Sequence, residues 1–346
     1  MTPQLEISVD GALGVIALNR PEAINALSRE MIAGISEALG AWREDSQVRV
    51  VLFEGRGPRG FCSGGDVRAV RAAALDNKLP EADAYFAEEY AMNLAIATYA
   101  KPVAVIGYGA VMGGGIGIAG HARFRFVVSE ARFAMPEAAI GFVSDVGVNA
   151  ILAEAPEPRA LAFLMAGLPV AVGDALKLGL CDTMIGPERL DAVRRGISSA
   201  ATQDNPETAL VMLMQSEGIE AGEATLCSQA DALAEEFSLH TAAEIVAAIS
   251  RRAVAESSFE RLAATLRSRS PSSLEAILQS HRAARRRPEI GAVLAQDLRL
   301  ARFMVRQPDF AEGVRAVLVD KDQQPRWQPD KVSETLRKTI GDAVGS

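Results

Sequence analysis

"VMGGGIGIAG", residues 111–120, holds five glycines in ten positions. It follows "PVAVIGYG" (102–109), an apolar run that reads as a buried strand, and it opens into a helix. A glycine-rich passage from strand to helix offers backbone N–H groups with no side chains in the way. That makes an anion site, for a phosphate or for a developing oxyanion. Gly115-x-Gly117-x-x-Gly120 formally matches a dinucleotide fingerprint, and Glu137 lies 20 residues after Gly117, near the place of a ribose-binding acid. The plainer alternative is tight helix packing, for which glycine suffices. A second glycine-rich turn, "FCSGGD" (61–66), changes the balance, because it also follows a strand ("VRVVLFEG", 48–55) and opens a helix. Two such turns can aim two N–H groups at one point, which a thioester carbonyl turning into an enolate or tetrahedral oxyanion requires. A dinucleotide-binding domain needs only one.

Outward from these turns the chain reads as an α/β protein. "LEISVD" and "LGVIALN" flank Asp10-Gly11, a hairpin signal. Ser28 can cap a helix over 29–42 whose apolar face is Met31, Ile32, Ile35, Leu39 and Trp42. Helices are predicted at 66–75 and 82–99, a strand at "FRFVVSE", and a short helix from Met135-Pro136-Glu137. Strand–strand–helix followed by strand–helix–strand–helix suggests a spiral rather than a simple doubly wound sheet. From about residue 155 the pattern is almost wholly helical, and "SRSPSSLEAIL" marks a helix start with Ser272 or Ser273 as cap. The composition shift near 190 places a boundary between a core over 1–190 and a mainly helical region over 191–346.

With 346 residues, 49% of them hydrophobic, the chain can bury a substantial core. No run approaches the 18 or so apolar residues of a membrane span, and "MTPQLEISVDG" has neither the basic nor the apolar segment of a signal peptide. A cytoplasmic protein with no membrane partner is expected. A net charge of −8 argues against nucleic acid as a partner. Three cysteines (Cys62, Cys181, Cys227) are too few for a disulfide framework, and three histidines with no HExxH or CxxC argue against a metal site.

"FAMPEAAIGFVSDVG" (133–147) is the other singular stretch. It sets Glu137 and Asp145 in nearly apolar surroundings, where a carboxylate is costly unless paired, hydrogen-bonded or used. An apolar surround would raise a carboxyl pKa and make it a better proton acceptor near neutrality. The plain readings are that Glu137 sits in the first turn of a helix, favoured by its dipole, and that Asp145 is a turn or cap residue. Glu89 reads as a solvated helix acid, Asp66 as a helix cap, Cys62 as a packing cysteine and His121 as structural. Arg282, Arg285, Arg286 and Arg287 read as a solvated helix end.

"NRPEAINALS", "GFCSGGDVRAV", "KPVAVIGYGAVMGGGIGIAGHARFRF" and "FAMPEAAIGFVSDVG" together resemble the crotonase (enoyl-CoA hydratase/isomerase) superfamily. The acid eight residues past Glu137, "YFAEEYAMNLAIATYAKP" and "DFAEGVRAVLVDKDQQPRWQP" resemble its 3-hydroxyisobutyryl-CoA hydrolase branch. The resemblance implies a crotonase-like spiral of ββα units with a helical C-terminal region, and an acyl-CoA thioester substrate. It puts the two oxyanion N–H groups on Gly65 and Gly114 and the shared catalytic glutamate on Glu137. Asp145 is then the additional acid of the hydrolases. Ala23 and Ile24 match backbone contacts to CoA, and Glu89 matches a substrate-contacting position. Asp66, beside Gly65, is a further substrate-side candidate. No cofactor is implied beyond the coenzyme A of the substrate, and a homo-oligomer, trimer or dimer, is expected.

Two departures matter. Hydratases carry a second glutamate three residues beyond the middle glycine of the GGG run, where this chain has Gly117; the hydrolase branch also has glycine there. Ser144 stands before Asp145 where the branch usually has proline. The implied reaction is hydrolysis of 3-hydroxyisobutyryl-CoA, as in valine breakdown. Glu137 acts as nucleophile or as base, and Asp145 positions water, binds the 3-hydroxyl or protonates the thiolate. The alternatives are an isomerase or hydratase using Glu137 alone, a nicotinamide-dependent oxidoreductase, and a CoA-binding protein without chemistry.

Overall fold

Leu5–Asp10 (β1) and Leu13–Leu18 (β2) pair antiparallel around Asp10-Gly11, in register from Asp10↔Leu13 to Leu5↔Leu18, as the hairpin signal predicts. In the computed structural model, which describes residues 3–345, the chain then alternates between two sheets. The further strands are Val50–Gly55 (β3), Gly60–Cys62 (β4), Val103–Gly107 (β5), Ala110–Met112 (β6), Phe124–Val128 (β7), Arg132–Ala134 (β8) and Thr183–Ile185 (β9). One sheet has the order β1-β2-β3-β5-β7-β9, parallel from β2 onward; the other has the order β4-β6-β8. Each of β3, β5 and β7 is followed by a short strand of the second sheet and then by helical structure. This repeated strand–strand–helix step is the spiral that the sequence suggests.

The helices are Arg29–Trp42 (α1), Val67–Leu75 (α2), Leu79–Ala97 (α3), Gly114–Ala119 (α4), Val148–Leu152 (α5), Glu157–Ala166 (α6), Val172–Lys177 (α7), Leu190–Ala201 (α8) and Pro206–Glu217 (α9). They continue with Thr225–Ala232 (α10), Ala234–Phe237 (α11), Ala242–Ala255 (α12), Glu260–Ser268 (α13), Pro271–Arg286 (α14), Ile290–Met304 (α15), Pro308–Val314 (α16) and Glu334–Val344 (α17). α1 has its predicted bounds, with Ser28 accepting the Met31 N–H and all five predicted apolar positions buried. The cap of α14 differs from expectation. Ser270, rather than Ser272 or Ser273, accepts the Ser273 N–H, because Pro271 takes the first helical position, where a missing N–H costs nothing. Strands β4, β6, β8 and β9 are also new, and β9, paired with β7, interrupts the stretch that reads as almost wholly helical from about residue 155. At three residues each, these four strands are too short to show a period in sequence.

The chain forms two compact units, each assembled from three stretches. The first comprises Met1–Gly65, Glu88–Phe133 and Val170–Ala224; the second comprises Asp66–Ala87, Ala134–Pro169 and Thr225–Ser346. In the first, β2, β3 and β5 read as continuous apolar runs because the middle of a parallel sheet is covered on both faces. Leu13, Leu52, Ile106 and Phe126 pack there with Val193 and Ile197 of α8. In the second, Phe86 stacks on Phe142 with ring centroids 5.2 Å apart, and Phe310 meets Phe142 at a tilt of 54° and 5.5 Å. No helix among the described residues is long and apolar enough to cross a membrane.

Candidate active site

The two glycine turns meet inside the first unit. β4 and β6 are parallel neighbours, so the turns that leave them, at Gly64-Gly65 and Gly113-Gly114, leave side by side. A Cβ built on Gly114 would lie 3.3 Å from the Gly65 nitrogen, and one on Gly64 would lie 3.6 Å from the Gly114 nitrogen. Gly114 is the first residue of α4, so its N–H has no acceptor within the helix. Gly115 is pressed onto the carbonyl of Cys62, 2.5 Å from where its Cβ would be, which accounts for a glycine there by packing alone.

The Ala23-Ile24 loop is strapped to the first of these turns. Ser63 donates its N–H to the Ile24 carbonyl at 2.9 Å and its hydroxyl to the Ala23 carbonyl at 3.0 Å, and Leu27 N–H reaches the Gly64 carbonyl at 2.9 Å. Asn25, wholly buried, donates to the carbonyls of Arg56, Gly60 and Phe61. Ile24 and Asn25 both take left-handed backbone conformations, φ +49° and +55°, to make these bonds.

Glu89 on α3 is not a solvated surface acid: only 3% of it is exposed. Its Oε1 lies 2.5 Å from the position of a Cβ on Gly114, so it stands directly beside the glycine N–H pair. The helix misleads because apolar residues occupy most of its circumference, leaving no clear stripe to show which acid points inward. Cys62 is a buried packing cysteine. Burial pushes its thiol up to about 12, the Glu89 charge adding to the rise against a hydrogen bond with Gly64, so it is no nucleophile at neutral pH.

In the second unit, Glu137 lies in a 3-10 helix, Pro136–Ile140, and is 7% exposed. Its carbonyl accepts the N–H groups of Gly141 and Phe142, closing the turn. Residues far along the chain clamp this turn. Ser270 N–H donates to the Ala138 carbonyl at 3.2 Å. Gly141 (φ +68°) and Gly313 permit close backbone approaches, since a Cβ on them would lie 2.2 Å from the Asp309 carbonyl oxygen and 2.4 Å from the Ile140 carbonyl carbon. Asp309 is itself buried, accepting the Ser270 hydroxyl at 2.6 Å and the Gln328 N–H at 2.6 Å; burial pushes its carboxyl above the usual range.

Asp145 is 5% exposed, so its place is interior as well as on a turn. It is followed by Val146 and Gly147, both left-handed at φ +52° and +75°, before α5 begins. Sequence reading missed the polar residues packed around it. Asp297 of α15 accepts the Gly147 N–H at 2.8 Å, and Asn149 pairs with His281 of α14 at 3.0 Å. Burial and the cations Arg285 and Arg282 hold His281 down to about 3, so it is neutral at physiological pH. A signal for Asp297 existed, because it interrupts the apolar stripe Val293, Leu294, Leu300, Ala301 and Met304.

The remaining candidates have local tasks. Asp66 caps α2, accepting the Ala69 N–H at 3.3 Å, and its own N–H donates to the Tyr85 hydroxyl at 3.2 Å. Arg285, Arg286 and Arg287 are exposed at the end of α14, as a solvated helix end would be, whereas Arg282 is half-buried. Arg282 pairs with Glu157 at 2.8 Å, and Arg285 donates to the carbonyls of Ala153 and Ala155. No cluster of potential metal ligands occurs among the described residues.

Relatives extend over nearly the whole chain. A 3-hydroxyisobutyryl-CoA hydrolase, mitochondrial, of Xenopus tropicalis is 34% identical over 325 residues, covering 94% of this chain and 84% of that protein. Its namesake from Danio rerio is 32% identical over 339 residues, covering 97% and 88%. The crystal structure of a carnitinyl-CoA dehydratase from Mycobacterium thermoresistibile superposes with a TM-score of 0.89 at 33% identity, covering 97% of this chain and 96% of that one. The family model for enoyl-CoA hydratase/isomerase matches residues 13–343, and with the alternating two-sheet spiral this establishes that the chain belongs to the enoyl-CoA hydratase/isomerase (crotonase) family.

Proposed function

We propose that this protein hydrolyses acyl-CoA thioesters, with 3-hydroxyisobutyryl-CoA as substrate, in valine breakdown. The similar proteins carry different activities in their names, hydrolase and dehydratase, at about the same identity. The observation that favours the hydrolase over the hydratase is Gly117. It lies in α4 where a hydratase has its second glutamate, and it supplies no carboxylate to add water across a double bond. Its carbonyl instead accepts the Asn93 amide at 3.0 Å.

In this reading the Gly65 and Gly114 N–H groups receive the thioester oxygen, where negative charge develops. Glu137 either attacks the carbonyl, forming an anhydride and releasing CoA thiolate before water opens it, or takes a proton from the attacking water. Asp145 assists by holding that water, binding the 3-hydroxyl or protonating the thiolate. Glu89, Ala23, Ile24 and Asp66 are substrate contacts. The reaction needs no cofactor, so activity is expected to survive exhaustive chelation and dialysis. The protein is expected in the cytoplasm as a homo-oligomer, trimer or dimer; fractionation and light scattering test these points, the relatives named above being called mitochondrial.

The test is release of free thiol from 3-hydroxyisobutyryl-CoA and 3-hydroxypropionyl-CoA by the wild type, Glu137→Gln and Asp145→Asn. Rapid release by the wild type, lost in both variants, is the expected result. Absence of thiol release, with loss of enoyl absorbance from an unsaturated acyl-CoA, would replace the reading with an isomerase or hydratase using Glu137 alone. A single turnover in ¹⁸O-water that labels the Glu137 carboxylate identifies the nucleophile, since water then opens the anhydride at the Glu137 carbon; hydroxylamine trapping of the acyl-enzyme covers opening at the acyl carbon, and a base gives neither signal.

A further inference from the structure

Asp297 is wholly buried on α15, within the apolar stripe of that helix. Its Oδ2 accepts the Gly147 N–H at 2.8 Å, while its Oδ1, also buried, has no hydrogen-bond partner among the described residues. Gly147 is separated from Asp145 only by Val146, a β-branched residue at φ +52°, where such side chains rarely sit. A conformation of that kind persists only when its surroundings hold it. We propose that Asp297 is a positioning residue for Asp145: through the Gly147 N–H it anchors the left-handed turn that aims the Asp145 carboxyl. This deepens the hydrolase reading and rests on it for the role of Asp145.

An acid suits this place better than an apolar residue, because a buried N–H left without an acceptor is costly. Burial first, and the neighbouring Asp145 second, push the Asp297 carboxyl well above the usual range. The Gly147 N–H bond and, after it, Arg299 pull the other way, and Arg299 itself gives three of its N–H groups to the carbonyls of Ala295, Ala343 and Val344. Two further buried groups flank the turn, Asn149 and His281, and they pair with each other at 3.0 Å. Asn149 also donates its amide to the Ser144 carbonyl at 3.4 Å, on the near side of Asp145, and Asp297 is the side chain that reaches the far side, at the Gly147 N–H.

The experiment compares Asp297→Asn, which keeps an oxygen for the Gly147 N–H, with Asp297→Leu, which does not. Asp297→Leu is expected to lower kcat at least about 30-fold with KM within about threefold, and Asp297→Asn to recover most of that loss. Hydrogen exchange at the Gly147 amide is expected to accelerate at least about tenfold in Asp297→Leu and to stay near wild type in Asp297→Asn. Should Asp297→Leu fail to fold, Asp297→Ser, too short to reach Gly147, takes its place. A folded Asp297→Leu (or →Ser) with wild-type kcat, while Asp145→Asn is inactive, would overturn this proposal alone. Unchanged exchange at Gly147 would overturn the anchor itself. A wild type that releases no thiol from either substrate would sink the hydrolase reading, and with it the catalytic half of this proposal.

Discussion

Gly114 carries the sharpest prediction at the level of single residues. A methyl group there would lie 2.5 Å from Glu89 Oε1 and 3.3 Å from the Gly65 nitrogen, in the space proposed for the thioester oxygen. Gly114→Ala is expected to cut kcat/KM by about 10²-fold, on the order of 3 kcal/mol, as loss of one oxyanion donor does; steady-state thiol release measures it. Cys62 is the matching negative case. Its thiol and that of Cys181, both buried and both pushed up to about 12, are expected to stay unlabelled by iodoacetamide in the native protein at pH 8 and to react after denaturation. The resemblance brought Gly65 and Gly114 to notice from residue types alone, because few patterns other than paired glycine turns leave two N–H groups bare. Glu89 and Asp297 were harder to read. Whether an acid on a helix faces water or the interior depends on what packs against that helix.

Element by element, the turn that carries Glu137 is held from outside. A 3-10 helix of five residues has little stability of its own. Contacts from α16 and from the start of α14 set its place, through Gly313 against Ile140 and Ser270 against Ala138. Gly313→Ala would force a Cβ to 2.4 Å from a backbone carbon that cannot rotate away. A destabilisation of about 3 kcal/mol is expected, the upper part of the range for overpacking, read from the urea midpoint. A smaller destabilisation with normal activity would mean that the turn tolerates displacement. The C-terminal "DFAEGVRAV" segment thus shapes the Glu137 turn as well as marking a family branch.

For the molecule as a whole, stability should carry a signature of its buried histidine. His281, held down to about 3, is neutral in the folded chain, whereas an unfolded chain protonates it below about 6.5. The unfolded state therefore binds the extra proton, and stability falls as pH drops from about 6.5 toward 3, by up to about 1.4 kcal/mol per pH unit from this residue. His281→Gln is expected to flatten that slope between about pH 6.5 and 5, above the ordinary carboxylates, in chemical denaturation at several pH values. By itself the sequence determined the alternation of strands and helices, the two glycine turns and the membership of the family. These are recorded in local periodicity and in residue types that only a few backbone geometries require. The tertiary structure alone decided that three-residue strands pair into a second sheet, that Glu89 is buried, and that Asp297 lies beneath the Asp145 turn. Each depends on contacts between residues distant in the chain, and burial is a property of the packing partner as much as of the residue.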